Sequence, residues 1–129
     1  AIIAQYVLKM KCIDGCLAPY NNWETVTKEG SSSKFYFFGS GGGTLFPVNA
    51  LHKSVLNNKL FMDLTPFADD IWLNTMARLK NTKIINTEYY SHILPILNYN
   101  NMTLSSKNNG NLNFNDKQIN NIIQYFDLD

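Results

Sequence analysis

A chain of 129 residues and 14.7 kDa has the size of one domain, and with 45% hydrophobic and 13% aromatic residues it is neither disordered nor fibrous. Eleven basic residues against ten acidic leave +1 and a pI near 8.0, which gives no electrostatic footprint for nucleic acid or an anionic membrane. Charged residues are scarce at 16%, and asparagine, 18 in all, fills the gap; such an excess more often records nucleotide bias than chemistry.

Ala1 to Met10 is rich in Ile, Val and Tyr and reads as one largely buried strand. Its apolar part, to Leu8, is far short of the roughly 20 residues a membrane span needs, and no basic start marks a signal peptide. Cys12 and Cys16, four residues apart without a second pair, make neither a disulfide framework nor a good zinc site. On a strand they would share a face as half-buried thiols in a reducing compartment. Asp14-Gly15 signals a turn, CLAPYNNWET an ordered loop, and Lys28 to Ser33 a flexible polar link. Phe35 to Phe38 is a short aromatic strand, followed by Gly39-Ser40-Gly41-Gly42-Gly43 and a second strand, Thr44 to Phe46.

Lys59 to Leu64 reads as a short helix. Ala68 to Lys80 is the clearest helix, with Thr65 as N-cap, Pro66 at the first helical position, and Asp69 and Asp70 in the first turn. Ile71, Trp72, Thr75, Met76 and Leu79 form its apolar stripe. Lys83 to Thr87 reads as a strand, Asn98 to Asn113 as a long polar loop, and Asp116 to Phe126 as a final helix capped by Asn115. With no internal repeat, the chain is expected to be a single mixed α/β domain with few strands and flanking helices.

Two segments can carry chemistry. Four glycines in five residues between strands let main-chain amides approach a ligand, and equally suit a flexible hairpin. The segment is not a phosphate loop, because neither Lys-Ser/Thr nor a helix follows it. Asp69 and Asp70 can cap the helix and answer its dipole, or one can cap while the other serves as a general base. His52 falls in a loop or turn and reads as a surface residue, and His92 follows the predicted strand. Neither sits in an HxH or HExxH pattern, and no G-x-S-x-G supports hydrolase chemistry.

Pro19-Tyr20 with Trp23, then Gly39 to Pro47 with Leu51, then Pro66 to Trp72 (PFADDIW) follow one another in an order that resembles the C-terminal half of bacterial polysaccharide- or capsule-type glycosyltransferases of the GT-A fold. The family pattern runs pY-x-x-W, G-x-GG-x-LYPP-x-x-L, aP-x-ADDIW. NDKQINNII, residues 115 to 123, resembles the family's closing helix, so the similarity spans most of the chain. Phe46 stands where the family has Tyr, and Val48 where it often has a second Pro. The larger departure is that the N-terminal, nucleotide-binding half with its metal-gripping Asp-x-Asp is expected to be absent. The one match to that motif, Asp127-Leu128-Asp129, lies at the extreme end.

The resemblance implies a glycosyltransferase fragment that carries the acceptor side of the site. Asp70, or failing that Asp69, would accept the proton of an acceptor hydroxyl. Gly41, Gly42 and Gly43 would approach donor sugar or acceptor, and Tyr20, Trp23 and Trp72 would stack on sugar faces or pack in the core. His92 would be a third ligand to a divalent metal. That metal, Mn²⁺ or Mg²⁺, is expected of the full-length family and not of this chain alone. A nucleotide-sugar donor, a saccharide acceptor and a cytoplasmic setting, with peripheral attachment of the full-length protein to the inner face of the membrane, belong to the same expectation. A half-domain leaves edges and apolar faces uncovered, so self-association is expected. The alternative from another class is a non-catalytic acceptor-binding or oligomerising module. A third reading is an unrelated small α+β protein in which the glycine run and the acidic pair are coincidental; it is excluded if Gly41–Gly43 and Asp70 line one cleft.

Overall fold

The computed structural model of the chain describes residues 1–87 and 103–128 and is mixed α/β, with eight short strands and four helices among them. The N-terminal segment is two strands rather than one: β1, Ile2–Ala4, and β2, Val7–Lys9, belong to different sheets. The break falls at Gln5 and Tyr6, whose backbone turns to the glycine segment. The Gln5 N–H donates to the Gly43 carbonyl and the Tyr6 carbonyl accepts from the Gly39 N–H, both at 3.0 Å.

In the first sheet β1 lies between β7, Thr44–Leu45, antiparallel, and β8, Ile84–Asn86, parallel. Ile2 faces Ile84 and Ile3 faces Leu45. In the second sheet β2 lies between β5, Glu24–Thr25, and β6, Tyr36–Phe38, both antiparallel. The glycine segment therefore joins strands of two different sheets, through a 3₁₀ turn over Ser40–Gly42, and is not a hairpin.

Cys12–Ile13 and Cys16–Leu17, β3 and β4, do form a hairpin, closed by Asp14 at φ +51 and Gly15 at φ +79, the positive values that a two-residue turn of this kind needs. Its register pairs Cys12 with Leu17 and Ile13 with Cys16. Side chains directly across a ladder share a face, so the two thiols point to opposite faces, and both are exposed. The expectation of half-buried thiols on one face is corrected by this turn, which the same-strand count ignored.

Helix α1 covers Asn58–Leu64, with the Asn57 side chain accepting from the Leu60 N–H at 3.0 Å. Thr65 ends this helix, its N–H bonded to the Phe61 carbonyl, and so does not cap the next one. Helix α2, Asp69–Leu79, starts after Ala68 and buries Ile71, Trp72, Asn74, Thr75, Met76 and Ala77. A further helix, α3 over Leu104–Asn109, stands inside the stretch expected to be a polar loop, and the Thr103 hydroxyl caps it by accepting the Ser106 N–H at 3.1 Å. The rest of that loop, up to residue 102, lies outside the described residues. The closing helix α4, Phe114–Phe126, begins earlier than expected, with left-handed Asn113 as its cap; Asn115 is buried inside it and donates to Asn109 Oδ1 at 2.7 Å.

Two apolar clusters share α2. Leu8, Trp23, Phe37, Ile71, Trp72, Met76, Ile119 and Ile122 fill one, against α4. Ile2, Ala4, Val7, Phe38, Ala50, Ala77 and Ile84 fill the other, behind the first sheet. Among the described residues no helix is long and apolar enough to cross a membrane.

Candidate functional site

The first turn of α2 faces the glycine segment. The Ser40 hydroxyl donates to Asp69 Oδ2 at 3.1 Å, which joins the two regions directly. Buried Asn74, one turn further along, holds them in register. Its Nδ2 donates to the Phe38 and Asp70 carbonyls, each at 2.8 Å, and its Oδ1 accepts the Phe38 N–H at 3.0 Å. The strand that leads into Gly39 is thus fixed to the start of the acidic helix.

The glycines serve different purposes. A Cβ on Gly42 would lie 2.5 Å from the Tyr6 Cβ, and one on Gly39 would lie 2.5 Å from the Tyr6 ring, so both make room for that side chain. Gly43 needs glycine for its φ of +94. Gly41 has nothing within 4 Å of a built Cβ and is exposed, which leaves its backbone open to approach from outside.

The two carboxylates differ in setting. Asp69 is exposed, whereas Asp70 is half-buried and its carboxyl is pushed up from 3.8 to about 6. Burial is the main cause and the Asp69 charge adds to it, while the Ile71 N–H, donating to Asp70 Oδ1 at 2.8 Å, pulls the other way. The Tyr20 phenol is raised too, by burial first and then by Asp70 and Tyr6, which places all three in one neighbourhood. Tyr20 is seated by its own N–H, which donates to Asp116 Oδ1 on α4 at 2.7 Å.

Such a carboxyl takes up and releases its proton near pH 6 rather than near 4. No family model, curated protein or solved structure matches the chain. What the site can do therefore has to be argued from its own residues.

Of the three aromatics expected beside a sugar, only Tyr20 keeps part of its surface next to Asp70. Trp23 is 8% exposed, with its ring 4.9 Å from that of Tyr20 and 5.3 Å from that of Phe37, and its Nε1 donates to the Ala18 carbonyl. Trp72 is 3% exposed, tilted on Phe61, with Nε1 donating to the Val55 carbonyl at 3.2 Å. Both indoles are core residues with satisfied N–H groups. His52 is structural, its Nδ1 accepting from the Ser54 N–H, and His92 lies outside the described residues.

Among the described residues no three His, Cys, Asp or Glu side chains converge, so the divalent metal that the resemblance implies does not fit a ligand set there. Sequence reasoning missed Tyr6, Ser40, Asn74 and Asp116. Ser40 carried a signal, as the one hydroxyl inside the glycine run. The other three are recruited by tertiary contacts that no local pattern announces.

Proposed function

We propose that this chain is the acceptor-side part of a glycosyltransferase that moves a sugar from a nucleotide-diphosphate donor to a saccharide acceptor in polysaccharide biosynthesis. In the transfer the acceptor oxygen bonds to the anomeric carbon, the bond from that carbon to the diphosphate breaks, and the hydroxyl proton passes to Asp70. What supports the reading is the half-buried Asp70, raised to about 6, on the helix turn whose Asp69 is bonded by Ser40 of the Gly39–Gly43 segment. The order of the PYNNW, glycine-rich and ADDIW segments supports it as well. Asp69, held by Ser40, is the weaker choice of base because it is exposed.

The test is calorimetry with UDP and UDP-sugars, with and without Mn²⁺, alongside NMR titration with a panel of neutral oligosaccharides. The reading expects at least one oligosaccharide to shift the Gly41, Tyr20 and Asp70 signals, and Asp70→Asn to abolish any transfer from donor to that acceptor. Saccharide-induced shifts confined to other surfaces, or transfer that survives Asp70→Asn, would sink it. Metal-dependent UDP binding would place the donor site in this chain as well.

A second reading, a non-catalytic module that binds saccharide or oligomerises, draws on exposed apolar side chains: Val48 is 91% exposed, Leu56 85% and Leu45 65%. It expects a sedimentation coefficient that rises with protein concentration. A concentration-independent monomer would count against it.

A further inference from the structure

Asn109 and Gly110 form the chain's one Asn-Gly step, at the junction between α3 and α4, and both residues are exposed. An asparagine side chain and the amide nitrogen of the next residue can close a succinimide ring. The closure is easiest before glycine, which has no Cβ to obstruct the approach. Here the glycine is imposed by the fold, because a Cβ at Gly110 would run into the Ser106 carbonyl oxygen.

The surroundings of the Asn109 amide add to what the dipeptide supplies. Its Oδ1 accepts a hydrogen bond from Asn115 Nδ2 at 2.7 Å, and Asn115 is buried in the first turn of α4. Attack on Cγ places negative charge on Oδ1, so a donor already aimed there stabilises the tetrahedral stage, as oxyanion donors do in acyl transfer. The leaving group, Nδ2, meets the Ser105 hydroxyl at a long 3.4 Å. Helix α3 spans six residues, short enough for its last turn to open and let the Gly110 nitrogen reach Cγ.

We propose that Asn109–Gly110 is a self-modifying site, at which Asn115 promotes deamidation. The Gly110 nitrogen bonds to Asn109 Cγ, the bond from Cγ to Nδ2 breaks, and ammonia leaves with the proton that the Gly110 nitrogen gives up. Water then opens the succinimide at one carbonyl or the other, which leaves aspartate or isoaspartate at position 109. Isoaspartate carries the main chain through Cγ and turns the Asn109 carbonyl, which accepts from Asn21 Nδ2 at 3.2 Å, into a free carboxylate. The change therefore reaches the Tyr20–Asn22 turn, and it needs no enzyme or cofactor. It is independent of sugar transfer at Asp70.

The experiment incubates the intact chain in warm, mildly alkaline buffer and follows every asparagine by peptide mass spectrometry. Labelling with an isoaspartyl methyltransferase separates the two products. Asn109 should be modified before any other asparagine. A hydrogen bond of ordinary net strength is worth roughly fivefold in rate, so Asn115→Ala should slow the reaction by about that factor in the folded protein and leave it unchanged in urea. Asn115→Asp keeps the shape but sets a negative oxygen where the donor was, and should slow it at least as much. Circular dichroism checks that each variant folds, and the order of modification in the wild-type chain decides independently of both. The proposal is overturned if another asparagine is modified first, if neither variant slows the folded reaction, or if the slowing persists in urea.

Discussion

Replacing Asp70 by asparagine keeps the shape of the side chain and the acceptor for the Ile71 N–H while it removes the charge. Burial raises the Asp70 carboxyl from 3.8 to about 6, so the folded chain holds that proton more tightly than the unfolded chain does. The stability this group contributes is then fully present below about pH 4 and lost as pH rises through about 6. Above that, burying the carboxylate costs about 3 kcal/mol, and at pH 4.5 about 1 kcal/mol. Asp70→Asn should therefore stabilise the protein by about 3 kcal/mol at pH 7.5, a rise of roughly 10 °C in Tm, and by about 1 kcal/mol at pH 4.5. Urea unfolding of both proteins at the two pH values measures this. A variant that is less stable at pH 7.5, or whose effect does not change with pH, would refute the argument.

Other substitutions test the surrounding structure. Gly42→Ala drives a methyl group into the Tyr6 Cβ and should cost about 1–3 kcal/mol, whereas Gly41→Ala meets open space and should stay near wild type in thermal melts. Asn74→Ala strands the Phe38 N–H and carbonyl in the core and should cost about 3 kcal/mol by urea unfolding; a loss under 1 kcal/mol would mean that β6 is not held by this clamp. Both cysteines should react with Ellman's reagent at full stoichiometry in the native protein, since each is exposed on its own face of the hairpin. Protection of either thiol would contradict that register.

Elements whose cause is local were legible. The Asp14-Gly15 turn, the α2 stripe and β8 follow from turn chemistry and periodicity, and the structure has all three. The split of the N-terminal segment was not, because its cause is the fit of Tyr6 over Gly39 and Gly42, more than thirty residues away. The start of α2 was misplaced because Thr65 is already used to close α1. Helix α3 has no apolar stripe; the Thr103 cap and the Asn108 amide donating to the Phe67 carbonyl at 2.8 Å hold it, and neither leaves a hydrophobic period. In the site, the nearness of the acidic pair to the glycines was anticipated. Which aromatics are open was not, because a tryptophan on a helix face reads alike whether it meets a ligand or Phe61.

The asparagine excess, which composition alone assigns to genome bias, has a structural use with a chemical consequence. Asn74 joins β6 to α2, Asn86 ties β8 to the Val26 and Lys28 carbonyls, and Asn121 ties α4 to the end of α1 at Leu64. In each case the side-chain NH₂ group donates to a backbone carbonyl across a seam between two elements. Hydrolysis of such an amide to a carboxylate replaces the donor with a negative oxygen aimed at another oxygen, so it opens the seam as surely as a mutation would.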